Sequence, residues 1–304
     1  MDQDFRILTF EKLAELNKCA GPIADKVKQT IEAKPQQRDY AASGISLSYP
    51  GTTVIWPGPD AVHKDGTVNI LFFFRGGSSS VMSKSSTNAI VVTADMGGVG
   101  GGASGKAYGS AEFVNKVVAS ILQQLKQKLH REDIKLGKLG MAGWSGGYDP
   151  IFGILNSSAH LVKQPDYVGV FDGMHHGQRG KPNESAMKTW QSLAQQAQKG
   201  KTQFVVTHTA VEPDNYASST DTANWLVQNN GLQREPVQNW QGQGVRPTSV
   251  AKSGGFQVVQ LYDKPAPYMK TDQTGKSKPN VPGTSGDQHI QALNSAPDYL
   301  PVWS

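Results

Sequence analysis

Cysteine is nearly absent from this chain of 304 residues, which contains only one, Cys19. A single thiol excludes an internal disulfide framework and any metal site that needs several cysteines. Long apolar runs are also lacking. The most apolar stretch, Val68–Phe74, is far shorter than the roughly 20 residues that cross a bilayer. We therefore expect no membrane span.

The chain also lacks a strong excess of either charge, since its formal net charge is only +5. The densest basic patch, between Lys264 and Lys278, is rich in proline and glycine and lacks the elements that read nucleic-acid grooves. We therefore expect no nucleic-acid partner. The first residues, MDQDFRILTF, carry acids where a secretory signal would carry positive charge. A cytoplasmic protein, or one without a readable export signal, is the expectation.

The chain does contain an alternation of short apolar runs and longer segments with helical spacing. The apolar runs are typical of strands buried on both faces; they lie at Gly51–Ile55, Val68–Phe74, Ala89–Ala94, Lys138–Gly143, Tyr167–Asp172, Gln203–Thr207 and Phe256–Tyr262. The helical segments between them are Ala111–Leu129, Tyr148–Val162, Glu184–Gln198 and Thr220–Asn229. This alternation predicts an α/β fold with a mostly parallel central sheet and helices on both faces.

Two further regions complete the predicted organisation. Residues 1–45 contain two stretches with helical spacing, separated by a Gly21-Pro22 break, and predict a short helical N-terminal extension. Residues 46–304 form the main domain, with polar insertions near 209–250 and 264–287. We interpret the second insertion as one long loop, which in a compact domain is usually functional or disordered.

Ser145 lies in the segment KLGMAGWSGGYDP, where a predicted buried strand ends and a predicted helix begins. A turn this sharp bends the backbone of its central residue, and glycine at 143 and 147 lets strand and helix approach closely. Residues 143–147 form a G-x-S-x-G pattern, so we interpret Ser145 as a nucleophile. A purely structural turn is the alternative, because glycine and serine are common in turns.

This motif, an acid at a strand end and a late histidine give residues 46–304 a resemblance to the α/β-hydrolase superfamily. The resemblance implies a triad in which an acid and then a histidine follow the serine along the chain. His289, in GDQHIQALN, matches that histidine by order and position. Asp172, at the end of YVGVFD, is the first candidate for the acid. Glu212 and Asp214, in the loop where the family more often places the acid, are the alternatives.

The resemblance also implies the groups around the triad. Gly146 would supply one amide of an oxyanion hole, and the turn RGGSSS would supply another at Gly76, Gly77 or Ser78. The candidate substrate-binding residues are Trp144, Arg75 and His175. This chemistry needs no metal and no organic cofactor.

The glycine-rich segment 94–110 imitates a nucleotide-binding motif. Gly100 to Lys106 match the G-x-x-x-x-G-K of a phosphate loop, but alanine stands at 107 where a hydroxyl would bind Mg²⁺. A nucleotide-binding NTPase is therefore one alternative, and a non-catalytic interaction or structural protein of hydrolase fold is another. We predict a serine hydrolase, first an esterase, acting on a small-molecule or polymer-linked acyl substrate of polar character. Amidase, peptidase and acyltransferase activities remain open.

Overall fold

The computed structural model describes residues 46–58, 61–75, 85–94, 101–157, 159–264 and 285–303. The predicted N-terminal extension, residues 1–45, lies outside the described residues, as do Gly76, Gly77, Ser78 and nearly all of the predicted loop 264–287. Within the described ranges, no helix combines the length and apolar character that crossing a membrane requires.

The structure contains eleven described strands, most of them short, and those in the middle of the main sheet are almost entirely buried. They are β1 (Thr53–Ile55), β2 (Thr67–Phe74), β3 (Ile90–Ala94), β4 (Lys135–Trp144), β5 (Tyr167–Phe171), β6 (Gly177–Gln178), β7 (Lys181–Pro182), β8 (Gln203–His208), β9 (Glu235–Pro236), β10 (Ser249–Ser253) and β11 (Phe256–Gln260). Nine of these described strands make one sheet in the order β1-β3-β2-β4-β5-β8-β11-β10-β9, and β6 and β7 pair separately. The strands from β3 to β11 in that order are parallel, whereas β1, β10 and β9 pair antiparallel at the edges. The mostly parallel α/β sheet is confirmed.

Helices cover both faces of this sheet. They are α1 (Gly101–Tyr108), α2 (Ala111–Leu129), α3 (Tyr148–Leu155), α4 (Glu184–Gln198), α5 (Ser219–Asn229) and α6 (Ser285–Ser295). Side chains alternate along a strand, so Phe72 on β2 packs in a core with α2 to α5. Its neighbour Phe73 packs on the other face with Leu293 of α6 and Trp303.

The structure differs from the sequence-based prediction in three places that are described here. The helix that begins at Tyr148 ends at Leu155, not Val162, and the Asn156 side chain donates to the Phe152 carbonyl at 2.8 Å to close its last turn. The glycine-rich residues 101–108, which were not among the predicted helices, form α1. The predicted insertion 209–250 is partly sheet, because it contains β9 and the first two residues of β10.

The sheet register brings several predicted site residues to one edge. Phe74 is the register partner of Gly143, and Phe171 is the partner of both Trp144 and Thr207. The carboxyl ends of β2, β4, β5 and β8 therefore lie side by side. In open parallel sheets this edge is where ligands bind.

Candidate active site

Ser145 occupies a tight turn between β4 and α3. Residues Ser145–Gly147 form a single 3₁₀ turn, and the backbone of Ser145 is left-handed, with a φ of +53°. A methyl group on Gly143 would overlap the carbonyl oxygen of Gly147, and one on Gly147 would overlap the carbonyl oxygen of Phe74. Both glycines are thus required for the strand and the turn to pass so closely. A strained serine at this kind of turn exposes its hydroxyl at the sheet edge.

Asp172 follows β5 and also has a left-handed backbone, with a φ of +45°. Its carboxylate is buried but well supplied with donors. Oδ1 accepts from the Thr209 amide at 2.9 Å, from the Thr209 hydroxyl at 3.0 Å and from the Ser219 hydroxyl. Oδ2 lies 2.6 Å from Nδ1 of His289. The structure therefore brings together Asp172 and His289, which are 117 residues apart in the chain.

The charge state of Asp172 follows from these contacts. Burial alone would raise its pKa, but the hydrogen bond and charge of His289 and the Ser219 hydroxyl outweigh burial and hold the pKa at about 2. Asp172 is therefore an ionised acceptor at neutral pH. Since a carboxylate only accepts, Nδ1 of His289 carries the proton of their hydrogen bond. That leaves Nε2 of a neutral His289 as the basic nitrogen.

His289 is held beside the serine turn by Trp144. The residue lies within α6, and the Trp144 indole donates to its backbone carbonyl at 2.9 Å. The two rings also pack, with centroids 4.4 Å apart. Within the described residues, the Ser145 hydroxyl is not hydrogen-bonded to His289, a bond that often tightens only when substrate binds.

The two alternative acids lie elsewhere. Glu212 is exposed and pairs with Arg179 at 3.1 Å, and Asp214 is also exposed. In the part of the chain that the structure describes, neither carboxylate is hydrogen-bonded to His289. The geometry therefore favours Asp172 as the partner of the imidazole.

The remaining predicted site residues surround the turn. Gly146 is buried inside it, whereas the predicted oxyanion donors Gly76 and Gly77 lie outside the described residues. Arg75 follows β2 with a φ of +67°, and its Cβ lies beside Gly147. His175 donates through Nδ1 to the Ala217 carbonyl at 3.2 Å. The N–H of the Trp144 indole donates to a backbone carbonyl of α6, and a contact of this side chain with substrate stays a prediction.

Sequence reasoning missed the residues that support Asp172. Thr209 directly follows β8 and Ser219 is the first residue of α5, yet both resemble ordinary loop and cap residues in the sequence. The only available signal was position, since Thr209 lies two residues beyond a predicted strand. Which neighbour it would face depends on the strand order, which a single sequence does not supply.

The nucleotide-loop alternative gains no geometric support. A phosphate loop needs its glycines in a turn that precedes the helix, whereas Gly101, Gly102 and Gly105 lie inside α1. Lys106 lies in the last turn of that helix. Among the described residues, no group of three or more histidine, cysteine or acidic side chains could hold a metal ion.

Comparison with family models and with curated protein sequences found no match. The function is therefore inferred from the geometry of the site.

Proposed function

We propose that the protein is a serine hydrolase of α/β-hydrolase type, with Ser145, His289 and Asp172 as its triad. The observation that carries this proposal is the 2.6 Å contact between His289 and an ionised, buried Asp172, beside a serine with a left-handed backbone. The order Ser, Asp, His along the chain is that of the superfamily. A structural turn alone would not require a buried acid–histidine pair next to it.

The proposed reaction proceeds by acyl transfer. His289 takes the hydroxyl proton of Ser145 on Nε2 while Oγ attacks the acyl carbonyl, and Asp172 stabilises the imidazolium through Nδ1–H. The Gly146 amide donates to the oxyanion, with a second amide from the turn after β2. The imidazolium then protonates the leaving group, and the acyl group remains on Oγ. Water, deprotonated by the same imidazole, releases the acid and restores the serine.

The substrate is proposed to be an ester or amide with a polar acyl group. His175 and Tyr148 stand near the acid, with ring centroids 5.8 Å apart and nearly perpendicular. The Cβ of Arg75 lies beside Gly147, and its charge acts on Tyr148. A wall that combines aromatic rings with a cation suits polar acyl donors better than a long alkyl chain. Esters are the first class to test.

Labelling with a fluorophosphonate probe tests the nucleophile directly. The probe phosphonylates an activated serine with loss of fluoride, and we expect the label on Ser145 when digested protein is mapped by mass spectrometry. Ser145→Ala should abolish labelling while the circular dichroism spectrum stays unchanged. Ser86→Ala, which alters an exposed serine, is the matched control and should label like the wild type.

The substrate class is tested with a series of p-nitrophenyl esters of increasing acyl length, measured beside peptide amides. We expect turnover to be highest for short or polar acyl groups and to disappear in Ser145→Ala. Labelling that persists at full rate in Ser145→Ala would exclude this serine as the nucleophile and remove the proposal.

A further inference from the structure

A largely buried hydrogen-bond network reaches Asp172 through Thr209. It begins at Thr209, which donates to Asp172 through both its amide and its hydroxyl. The Thr209 carbonyl in turn accepts from the Thr220 hydroxyl at 2.6 Å. His208 lies next, with Nδ1 3.0 Å from that hydroxyl, and Nε2 of His208 lies 3.1 Å from the guanidinium of Arg234. His208 and Thr209 are almost completely buried.

The guanidinium fixes the direction of the bonds that lead from Arg234 to the Thr209 carbonyl. Arginine can only donate, so Nε2 of His208 accepts and carries no proton. Burial, with the nearby Arg234 charge, lowers the pKa of His208 to about 3, so the ring is neutral and its one proton is on Nδ1. Nδ1–H therefore donates to the Thr220 oxygen. Because that oxygen accepts from His208, the Thr220 hydroxyl proton points to the Thr209 carbonyl.

The network orients the carboxylate as well as binding it. Both Thr209 donors and the Ser219 hydroxyl reach Oδ1, and the Thr209 hydroxyl also lies 2.9 Å from Oδ2. These contacts leave Oδ2 directed at Nδ1 of His289. A carboxylate without them could rotate and offer His289 either oxygen or a poorer angle.

We propose that Thr209 and Ser219 are positioning residues for Asp172, and that Arg234, His208 and Thr220 form a one-way hydrogen-bond relay that fixes Thr209. This inference rests on the proposed function, because it assigns these residues to the orientation of a catalytic acid. It also makes a statement about the protonation of His208 that is independent of any activity.

The tautomer of His208 is measured first, in the wild-type protein. Free histidine in water carries its proton mainly on Nε2, whereas the relay requires it on Nδ1. We expect ¹⁵N-histidine NMR spectra to show Nδ1 protonated and Nε2 unprotonated in His208, unchanged between pH 5 and pH 9. In Arg234→Met the Nε2 acceptor loses its donor, and we expect the signal to change tautomer or to titrate. A wild-type His208 protonated on Nε2 would overturn the relay.

The positioning role is tested with a matched pair of variants. Thr209→Val removes the hydroxyl but keeps the shape and the amide donor, whereas Thr209→Ser keeps both donors. We expect Thr209→Val to slow fluorophosphonate labelling roughly 10- to 100-fold, since a hydrogen bond to a charged group contributes that much. Thr209→Ser should stay within about threefold of the wild type, because its donors remain.

The pH profile separates positioning from a general loss of structure. The titratable groups that face Asp172 are His289, His175, His208 and Tyr262. A carboxylate with one donor fewer attracts a protonated His289 more strongly. The acidic limb of the labelling rate should therefore move to higher pH in Thr209→Val and not in Thr209→Ser.

The outcomes are distinct from those of the proposed function. If Thr209→Val matches Thr209→Ser in both rate and acidic limb, Thr209 does not position the acid and the inference is wrong. If the wild-type protein is not labelled at all, the proposed function fails, whatever the tautomer of His208. A Thr209→Val that loses activity with an unmoved acidic limb shows a structural role only, and this also overturns the inference.

Discussion

Replacing Asp172 by asparagine is the most demanding test of the site, because the surrounding donors decide how the new amide can lie. Oδ1 of Asp172 accepts from the backbone amide of Thr209 and from the hydroxyl of Ser219. An NH₂ group in that position would face the backbone donor. The amide oxygen of the asparagine is therefore held at the Oδ1 position, and its NH₂ group faces His289.

This orientation reverses the protonation of the imidazole. With a donor opposite it, Nδ1 of His289 must accept, so its proton moves to Nε2. Nε2 then carries a hydrogen and cannot take the proton of Ser145. A reversed tautomer in a serine-protease triad costs about 10⁴-fold in turnover, which corresponds to roughly 5.5 kcal/mol of transition-state stabilisation. We expect a loss of this size in Asp172→Asn.

The assay compares kcat for the best p-nitrophenyl ester, with the labelling rate as a second measure. The change should fall on kcat rather than KM, because the acid touches the imidazole and not the ground-state substrate. Glu212→Gln and Asp214→Asn are the controls; both side chains are exposed, and we expect activity within about twofold of the wild type. Thermal unfolding followed by circular dichroism checks that Asp172→Asn still folds.

The result that refutes this reasoning is equally concrete. A folded Asp172→Asn with more than about a tenth of the wild-type kcat would show that the acid does not set the tautomer of His289. A large loss in Glu212→Gln or Asp214→Asn instead would place the acid in the loop after β8 and away from β5.

Two further predictions concern the turn and the acid sensitivity of the fold. Gly143→Ala should slow labelling at least 100-fold, because its methyl group displaces the turn and misplacements near 1 Å cost that much. The control is Gly200→Ala, since Gly200 lies in open space with a φ of +73°. This control should lose only about 1–2 kcal/mol of unfolding free energy and keep its labelling rate. Burial lowers the pKa of His176 from 6.5 to about 4, so between these pH values the unfolded chain binds a proton that the folded chain does not. This residue should therefore lower the unfolding free energy by roughly 3 kcal/mol between pH 6.5 and pH 4, as measured by urea titrations. His176→Phe should remove that part of the fall, whereas the exposed His160→Gln should leave it; equal pH dependence in all three proteins would contradict the assignment.

The parts of the fold that the sequence predicted are those where local pattern and burial agree. β2 is mostly apolar because both faces are covered, although it includes Thr67 and Asn69, and its predicted and observed bounds differ by one residue. β10, with the sequence SVAKS, has no such pattern because it lies near the sheet edge and is only partly buried. Helix α1 was missed because its glycines lower helix propensity, and packing near α3 overrides that preference.

The site was predictable only as separate residues. The turn at Ser145 has a local signature, and its position between strand and helix could be inferred. The contact between Asp172 and His289 has none, because it depends on which strand lies beside β4 and on where α6 returns to the sheet. The support from Thr209 depends on the same topology. A single sequence supplies order along the chain but not the neighbours across the sheet.

In the proposed triad the acid follows β5, and this placement explains why Trp144 and Thr209 lie where they do. β5 lies next to β4 in the sheet, so an acid at its carboxyl end is close to the serine turn. The histidine must then be held near the ends of the same two strands. The Trp144 indole does this by binding the backbone of α6. The end of β8 is then free to supply a donor, and Thr209 occupies it. An acid moved to position 209 would have to reach His289 across β5, and it would meet the carboxylate of Asp172 on the way. The residues after β5 and β8 are therefore coupled: an acid at position 209 would be compatible with the site only if Asp172 were no longer an acid.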